Sequence, residues 1–230
     1  MKKVLVGCPT SFHKEHSLKE YSESIKNLSY DNYDILLVDN SPDDNYLKKI
    51  KSFGLKVKKG PYFESARERI VFSRNILKDE AIKNYDYFLS LEQDVIPPKD
   101  IIERMLNHGK KVITGIYFAR NIVKGKKVLM PLAYKEIKSN NKLPDMRPLN
   151  ELEIGNGLIQ IVSCGLGCVL IHKDVLKKIT FRYEKDKDAF DDRFFCIDLY
   201  NKNIPIYCDA SIICRHLILN RPYQWRDIKK

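Results

Sequence analysis

Two acidic side chains, Glu92 and Asp94, stand one residue apart in the stretch YFLSLEQDVIPP. The apolar residues before them predict a buried strand, and two prolines end the segment. In an extended chain, residues i and i+2 point to the same side, so the two carboxylates should converge. Converging carboxylates repel unless a cation lies between them or one is protonated. They therefore predict either a site for Mg²⁺ or Mn²⁺, which prefer oxygen ligands, or acids at an exposed strand end.

A second pair of acids, Asp191 and Asp192, begins the stretch FDDRFFCIDLYNKN, which we predict to be helical. Acids in the first turn of a helix interact favourably with the helix dipole, and this alone could explain the pair. A carboxylate beside a bound substrate can also accept a proton from a reacting hydroxyl. The sequence pattern alone leaves both explanations open.

Strand and helix patterns alternate over the first 120 residues. This alternation is typical of a mainly parallel sheet with helices on both faces, a Rossmann-like three-layer α/β sandwich. In such sheets ligands bind at the carboxyl ends of the strands, and three of the predicted strands end in polar groups. The predicted strands are Val4–Gly7, DILLVD, Leu55–Lys58, YDYFLSLEQD and KKVITGIYF, and the predicted helices are Ser17–Asn27, Tyr46–Phe53, SARERIVFSRNILKDEAIKN and a segment through Met105.

The second half of the sequence is less regular. Residues 124–157 are polar and rich in lysine and proline, so we expect a long loop or flap there. The stretch LIQIVSCGLGCVLIHKDVL predicts a strand, a bend at its glycines, another strand and a helix, and IPIYCDASIICRHL predicts the last strands. No repeat or linker divides the chain, so we expect one domain over residues 1–230.

Composition excludes several classes of protein. Of 230 residues, 43% are hydrophobic, which is ordinary for a globular protein, and no apolar run is long enough to cross a membrane. The six cysteines lack zinc-site spacing, and we expect buried, reduced thiols in a cytoplasmic protein. The net charge of +11 comes from lysines spread along the chain, which favours a solvated surface over a nucleic-acid site.

Four pieces of the sequence, in this order, resemble glycosyltransferases of the GT-A fold, especially the inverting family-2-like enzymes. They are VDNSPDD, SRN, LEQD at the position of the family's DxD motif, and GLGCVLIHKDV followed by FDDRFFCIDL and a late His216. The resemblance covers most of the chain. It implies a GT-A-type mixed, mainly parallel sheet flanked by helices, with a nucleotide-sugar-binding half at residues 1–120 and an acceptor-binding and catalytic half at 121–230.

The resemblance also implies contacts to the donor nucleotide. Pro9 and Thr10 match the loop that borders the base, and Asp39 matches the acid that hydrogen-bonds the base. An Asx turn before Ser-Pro would also explain Asp39. Arg74 matches a basic residue near the nucleotide, and the alternative is one more charge on an amphipathic helix.

The metal site and the glycines are matched in the same way. Asp94 matches the acid that contacts Mn²⁺ or Mg²⁺, and His216 matches the late histidine that completes the metal site in many relatives. LEQD departs from a strict DxD, so Glu92 is expected to be more distant from the metal or to face the sugar. Gly165 and Gly167 would let the backbone approach the donor sugar or the acceptor, or they are bends in the core.

In the related enzymes an acidic pair at a helix start supplies the general base. By this resemblance Asp192 is the expected base and Asp191 the second choice. The implied function is metal-dependent transfer of a sugar from a nucleoside diphosphate, UDP favoured and GDP open, to a hydroxyl, with inversion. Two alternatives are a nucleotidyltransferase, which the single glycine of the first loop disfavours, and a non-catalytic carbohydrate-binding or nucleotide-sugar-binding protein of the same fold.

The expected partners are the nucleotide-sugar donor and a glycan, lipid-linked or protein acceptor, with no nucleic acid. The C-terminal residues RPYQWRDIKK form a basic patch with an aromatic anchor. We predict that Tyr223 to Lys230 contact an anionic membrane surface, which would place a cytoplasmic protein at the inner face of the membrane.

Overall fold

The computed structural model describes residues 1–123, 125–137 and 143–218. The strands are β1 Val4–Gly7, β2 Pro9–Thr10, β3 Tyr33–Ile35, β4 Leu37–Asp39, β5 Val57–Lys59, β6 Tyr87–Leu91, β7 Val95–Ile96, β8 Val112–Ile116, β9 Phe118–Val123, β10 Lys126–Pro131, β11 Ala133–Ile137, β12 Asp145–Pro148, β13 Leu158–Ile161, β14 Ser163–Cys164, β15 Cys168–His172, β16 Ile206–Ile213 and β17 Arg215–His216. The helices are α1 Leu18–Lys26, α2 Asn45–Ser52, α3 Ala66–Asn84, α4 Ile101–Asn107, α5 Lys173–Leu176 and α6 Asp191–Asn201, and a 3₁₀ helix covers Phe12–Ser17.

The central sheet has seven strands in the order β13-β16-β8-β15-β6-β1-β3. Strand β1 pairs in parallel with β3 and β6, and β8 pairs in parallel with β16, whereas β15 is antiparallel to both of its neighbours and β13 is antiparallel to β16. Beyond β1 and β3, the chain continues into a second parallel sheet of order β2-β4-β5. The predicted mixed, mainly parallel sheet is confirmed, and it combines strands from both halves of the chain.

Helices cover both faces of this sheet, which confirms the predicted three layers. One core contains buried side chains of α1, α2 and α4, and the other contains side chains of α3, α5 and α6. Strands β1 and β6 are buried along their whole length, as expected for central strands covered on both faces. The carboxyl ends of β2, β4 and β6 therefore lie at one edge of a rigid scaffold.

The predicted loop over residues 124–157 is wrong. Its described parts contain β10, β11 and β12; β10 pairs with β9, and β11 pairs with β12 and β14. Few of their residues are buried, so these strands lack the continuous apolar run of a central strand. The paired backbone makes them strands in spite of that composition.

The strand predicted at Leu55–Lys58 is observed as β5, which begins two residues later and ends one residue later, and all six cysteines are buried. No described helix is long and apolar enough to span a membrane. The C-terminal patch from Tyr223 to Lys230 lies outside the described residues. The division into halves at residue 120 stays a prediction.

Candidate active site

The turn between β6 and β7 separates its side chains onto two sides. Gln93 points inward and is fully buried; its side-chain oxygen accepts a hydrogen bond from the Thr10 hydroxyl, and its amide nitrogen donates to the carbonyl of Lys14 at 2.6 Å. Glu92 and Asp94 project to the other side. The two carboxylates converge as predicted, but the predicted strand through Asp94 ends at Leu91, and a turn closed by Val95 N donating to the Glu92 carbonyl brings them together.

The cation between these carboxylates is a side chain of the protein. The Lys14 ammonium donates to Asp94 Oδ1 at 2.7 Å and to Glu92 Oε2 at 3.0 Å. Burial opposes ionisation of Glu92, but Lys14 and Arg74 outweigh it and lower the pKa of Glu92 to about 2. Glu92 is thus held as a carboxylate, and sequence reasoning missed the lysine that contacts both acids.

His216 reaches Asp94 because β17 pairs with β7. In that pairing His216 lies opposite Val95, and Leu217 N donates to the Asp94 carbonyl at 2.8 Å. The His216 Nδ1 lies 2.7 Å from the Phe118 carbonyl, so Nδ1 carries the proton and Nε2 keeps its lone pair. Nε2 lies 3.4 Å from Asp94 Oδ2 and has no hydrogen-bond partner although it is buried.

This arrangement fits one carboxylate and one imidazole ligand of a divalent cation. A histidine whose other ring nitrogen donates to a carbonyl is oriented as metal-binding histidines are. Burial lowers the pKa of His216, which keeps the ring neutral and able to bind a metal. Within the described ranges, no three His, Cys, Asp or Glu side chains form a metal-binding group.

The Arg74 guanidinium contacts one acid of each pair. Its side chain is 1% exposed, and Nε donates to Asp191 Oδ2 at 2.6 Å, while Nη1 donates to Ser90 Oγ at 2.7 Å. Nη2 lies 3.4 Å from Glu92 Oε1. The alternative of an exposed charge on a helix face is therefore wrong, because this guanidinium is buried inside a network of carboxylates.

Asp191 and Asp192 occupy the first turn of α6 but differ in their partners. Asp191 is buried against Arg74. Asp192 accepts a hydrogen bond from Arg193 N at 2.7 Å and faces the cavity. Burial, together with the neighbouring charge of Asp191, raises the pKa of Asp192 to about 6. The side chain can therefore take up and release a proton near neutral pH.

These groups surround one cavity of about 320 Å³, within the usual range of ligand sites. Its wall brings together the ends of β2 and β4, the start of α3, the turn after β6, the start of α6 and β17. The lining residues are Pro9, Thr10, Ser11, His13, Lys14, Asn40, Ala66, Arg69, Ile70, Arg74, Glu92, Tyr117, Leu132, Leu166, Phe190, Asp191, Asp192 and His216. Seven of the eleven predicted site residues line it, whereas Asp39, Asp94, Gly165 and Gly167 do not.

Asp39, one of these four residues, lies deeper in the protein. It is fully buried, and its carboxylate accepts hydrogen bonds from the backbone and hydroxyl of Ser41 at 3.0 and 2.6 Å and from Lys59 at 3.0 Å. It does not line the cavity, whereas its neighbour Asn40 does. This placement favours the turn-forming alternative for Asp39.

The two glycines also lie behind the cavity wall. A side chain at Gly165 would collide with the Tyr117 hydroxyl, and one at Gly167 would collide with its ring. The Gly167 amide donates to that hydroxyl at 2.9 Å. The glycines therefore make room for Tyr117, which lines the cavity in their place, and this favours the interpretation as core bends.

Sequence reasoning missed Lys14, Tyr117 and Arg69 among the cavity residues. The only signal for Lys14 was its position in the loop after the first strand, beside the polar strand ends. Thr10, by contrast, was selected, but its hydroxyl is used by Gln93.

Comparisons with known proteins identify the family and support the fold. The model of the family "Glycosyl transferase family 2" matches residues 9–180. A search of curated proteins found no match.

Three solved structures share the fold. GalNAc-T7 with UDP, GalNAc and Mn²⁺ has a TM-score of 0.67 at 10% identity, over 94% of this chain and 44% of that one. S. aureus TarS 1-349 with UDP-GlcNAc has a TM-score of 0.56 at 15% identity, over 94% and 58%.

The third structure is the mannosyltransferase PcManGT from Pyrobaculum calidifontis with GDP-Man and Mn²⁺. Its TM-score is 0.64 at 12% identity, over 99% of this chain and 61% of that one. This chain thus spans less than two thirds of the length of each of these three structures.

Proposed function

Because the chain belongs to glycosyl transferase family 2 and has the GT-A fold, we propose that its cavity binds a nucleoside-diphosphate sugar and that the protein transfers the sugar to a hydroxyl acceptor. The observation that carries this proposal is that His216 and Asp192 line one cavity, while Asp94 is buried directly behind its wall, with Oδ2 3.4 Å from His216 Nε2. UDP is the favoured nucleotide, since two of the three similar structures hold uridine nucleotides, and GDP is the alternative.

Asp94 and His216 would hold a divalent cation, Mn²⁺ or Mg²⁺. When bound, such a cation stabilises the negative charge that develops on the departing diphosphate. Two of the similar structures contain Mn²⁺, and the hydrogen bond from His216 to the Phe118 carbonyl leaves Nε2 free to bind it. Glu92 lines the same wall and would face the sugar or the phosphate groups.

Asp192 is the proposed general base. It accepts the proton of the attacking hydroxyl as the bond to the anomeric carbon forms, and the diphosphate leaves with the electron pair of the broken bond. Asp191 positions the start of α6 through Arg74 and is not available for this step, because its carboxylate is bound by the guanidinium. One base facing a separately bound donor is the arrangement of inverting enzymes, so we propose inversion by analogy with the family.

Calorimetric titration with UDP and with GDP, each with and without Mn²⁺, tests the donor site. We expect Mn²⁺-dependent binding of one nucleotide, lost in Asp94→Asn and retained in Asp79→Asn, whose side chain is 64% exposed. A thermal melt of each variant would show that it is folded. No binding to the folded wild-type protein would contradict the proposal. Binding without turnover of any sugar nucleotide would instead support the non-catalytic alternative.

A further inference from the structure

The hairpin of β9 and β10 extends outward from the rim of the cavity. Leu132 N donates to the Tyr117 carbonyl at 3.0 Å and closes the base of the hairpin, and both of these residues line the cavity. The first residue of the hairpin, Phe118, offers its carbonyl to His216. Whatever binds to this hairpin is therefore held beside the mouth of the cavity.

One face of the hairpin carries aliphatic and cationic side chains in alternation. Arg120 lies opposite Leu129, and Ile122 lies opposite Lys127. Because residues i and i+2 share a face of a strand, these four side chains form one surface, which we call the hairpin face. Ile122 is 54% exposed and Leu129 is 62% exposed, so large aliphatic groups lie in water beside two exposed cations.

The charge around the hairpin has a single sign. Between Glu103 and Glu136 the sequence contains no acid, although lysines elsewhere are mostly interspersed with acids. The basic residues of this stretch are Arg104, Lys110, Lys111, Arg120, Lys124, Lys126, Lys127 and Lys135. In the parts of the chain that the structure describes, no acid forms an ion pair with Arg120, Lys126 or Lys127. The cations of the hairpin are thus available to an external anionic partner.

We propose that the hairpin face docks on an anionic lipid membrane, with the aliphatic side chains inserted among the lipids and the cations against the headgroups. Each basic residue near an anionic leaflet adds to binding, and aliphatic side chains add a hydrophobic contribution. A nucleic acid would complement the charge but not the two aliphatic groups. In so far as the proposed function holds, docking places the cavity mouth at the headgroups, where an acceptor hydroxyl carried on a lipid would lie.

Co-sedimentation of the full-length protein with vesicles tests this docking. The probes are vesicles of phosphatidylcholine alone and of phosphatidylcholine mixed with phosphatidylserine. We expect binding only to the mixed vesicles, weakened by salt and reduced roughly tenfold or more in Arg120→Gln/Lys127→Gln. The matched control Lys48→Gln/Lys51→Gln removes two exposed charges from α2 and should bind as wild type.

The aliphatic contribution has a closer control. Leu129→Ser should bind mixed vesicles several-fold more weakly, whereas Leu152→Ser, which replaces a leucine 83% exposed outside the hairpin, should not. The proposal would be overturned if the wild type did not bind mixed vesicles, or if variant and control lost vesicle binding equally. It would also be overturned if only deletion of Tyr223 to Lys230 abolished vesicle binding. Loss of oligonucleotide binding or of self-association in the hairpin variants, with vesicle binding unchanged, would also overturn it.

The outcome of the vesicle-binding experiment does not depend on the proposed donor site. The hairpin variants should bind nucleotide and Mn²⁺ as the wild type does, because none of the substituted side chains lines the cavity. Failure of vesicle binding with intact nucleotide binding would therefore reject only the docking surface, and the reverse result would reject only the proposed function.

Discussion

The two acidic pairs of the cavity contain the same kinds of group but behave in opposite ways. Glu92 and Asp94 share the ammonium of Lys14, and the pKa of Glu92 falls to about 2. The Arg74 guanidinium lies 2.6 Å from Asp191 and 3.4 Å from Glu92, whereas burial and the charge of Asp191 raise the pKa of Asp192 to about 6. Nearby cations favour the ionised form of Glu92, whereas burial beside a second acid leaves Asp192 ready to exchange a proton.

The largest effect that would test this contrast is expected from Asp192→Asn. Removing a general base should lower kcat by a factor of roughly 10²–10⁴. In the wild type, kcat/KM should fall about tenfold per pH unit below pH 6, because a base must be deprotonated to accept a proton. The pH profile of sugar transfer or of donor hydrolysis measures both effects.

A structural role alone would give a different result. Burial beside Asp191 makes the ionised form of Asp192 unfavourable, so Asp192→Asn should not lower the free energy of unfolding. A variant that is both inactive and strongly destabilised, or a wild-type rate that is flat from pH 5 to pH 7, would contradict the assignment of Asp192 as the base.

The second effect concerns stability. Arg74→Met leaves the buried carboxylate of Asp191 without its cation, and we expect a loss of about 3–5 kcal/mol in the free energy of unfolding. Lys83→Met, on the exposed side of the same helix, should change it by less than about 0.5 kcal/mol. Urea denaturation measures both values. Equal effects of the two substitutions would show that the Arg74 network does not stabilise the fold.

The smallest effect is expected at Lys14. Its ammonium lies 2.7 Å from an oxygen of Asp94, the proposed metal ligand, so a divalent cation must displace it. Removing that charge in Lys14→Met should raise Mn²⁺ affinity by roughly tenfold, since a nearby like charge opposes the metal. Lys19→Met, exposed on α1, is the control in the same calorimetric titration. Weaker Mn²⁺ binding in Lys14→Met would mean that the lysine supports the metal site.

Most of the fold was predictable from local patterns. The sequence predicts the buried strands β1 and β6 and the amphipathic helices α1 and α3, because apolar runs and helical spacing are local properties of the chain. The strands β10, β11 and β12 could not be found in this way. Few of their residues are buried, and they are strands because β10 pairs with β9 and β11 pairs with β12 and β14.

The sequence by itself determined which residue types stand at the strand and helix ends, and so it identified both acidic pairs and His216. Only the tertiary structure decided their chemistry. The charge state of a carboxylate depends on its neighbours within a few ångströms, and Lys14 and Arg74 come from segments 78 and 117 residues away from the acids that they bind. The separation of two residues in the sequence does not indicate which cation contacts which acid. The pairing therefore exists only in the folded protein.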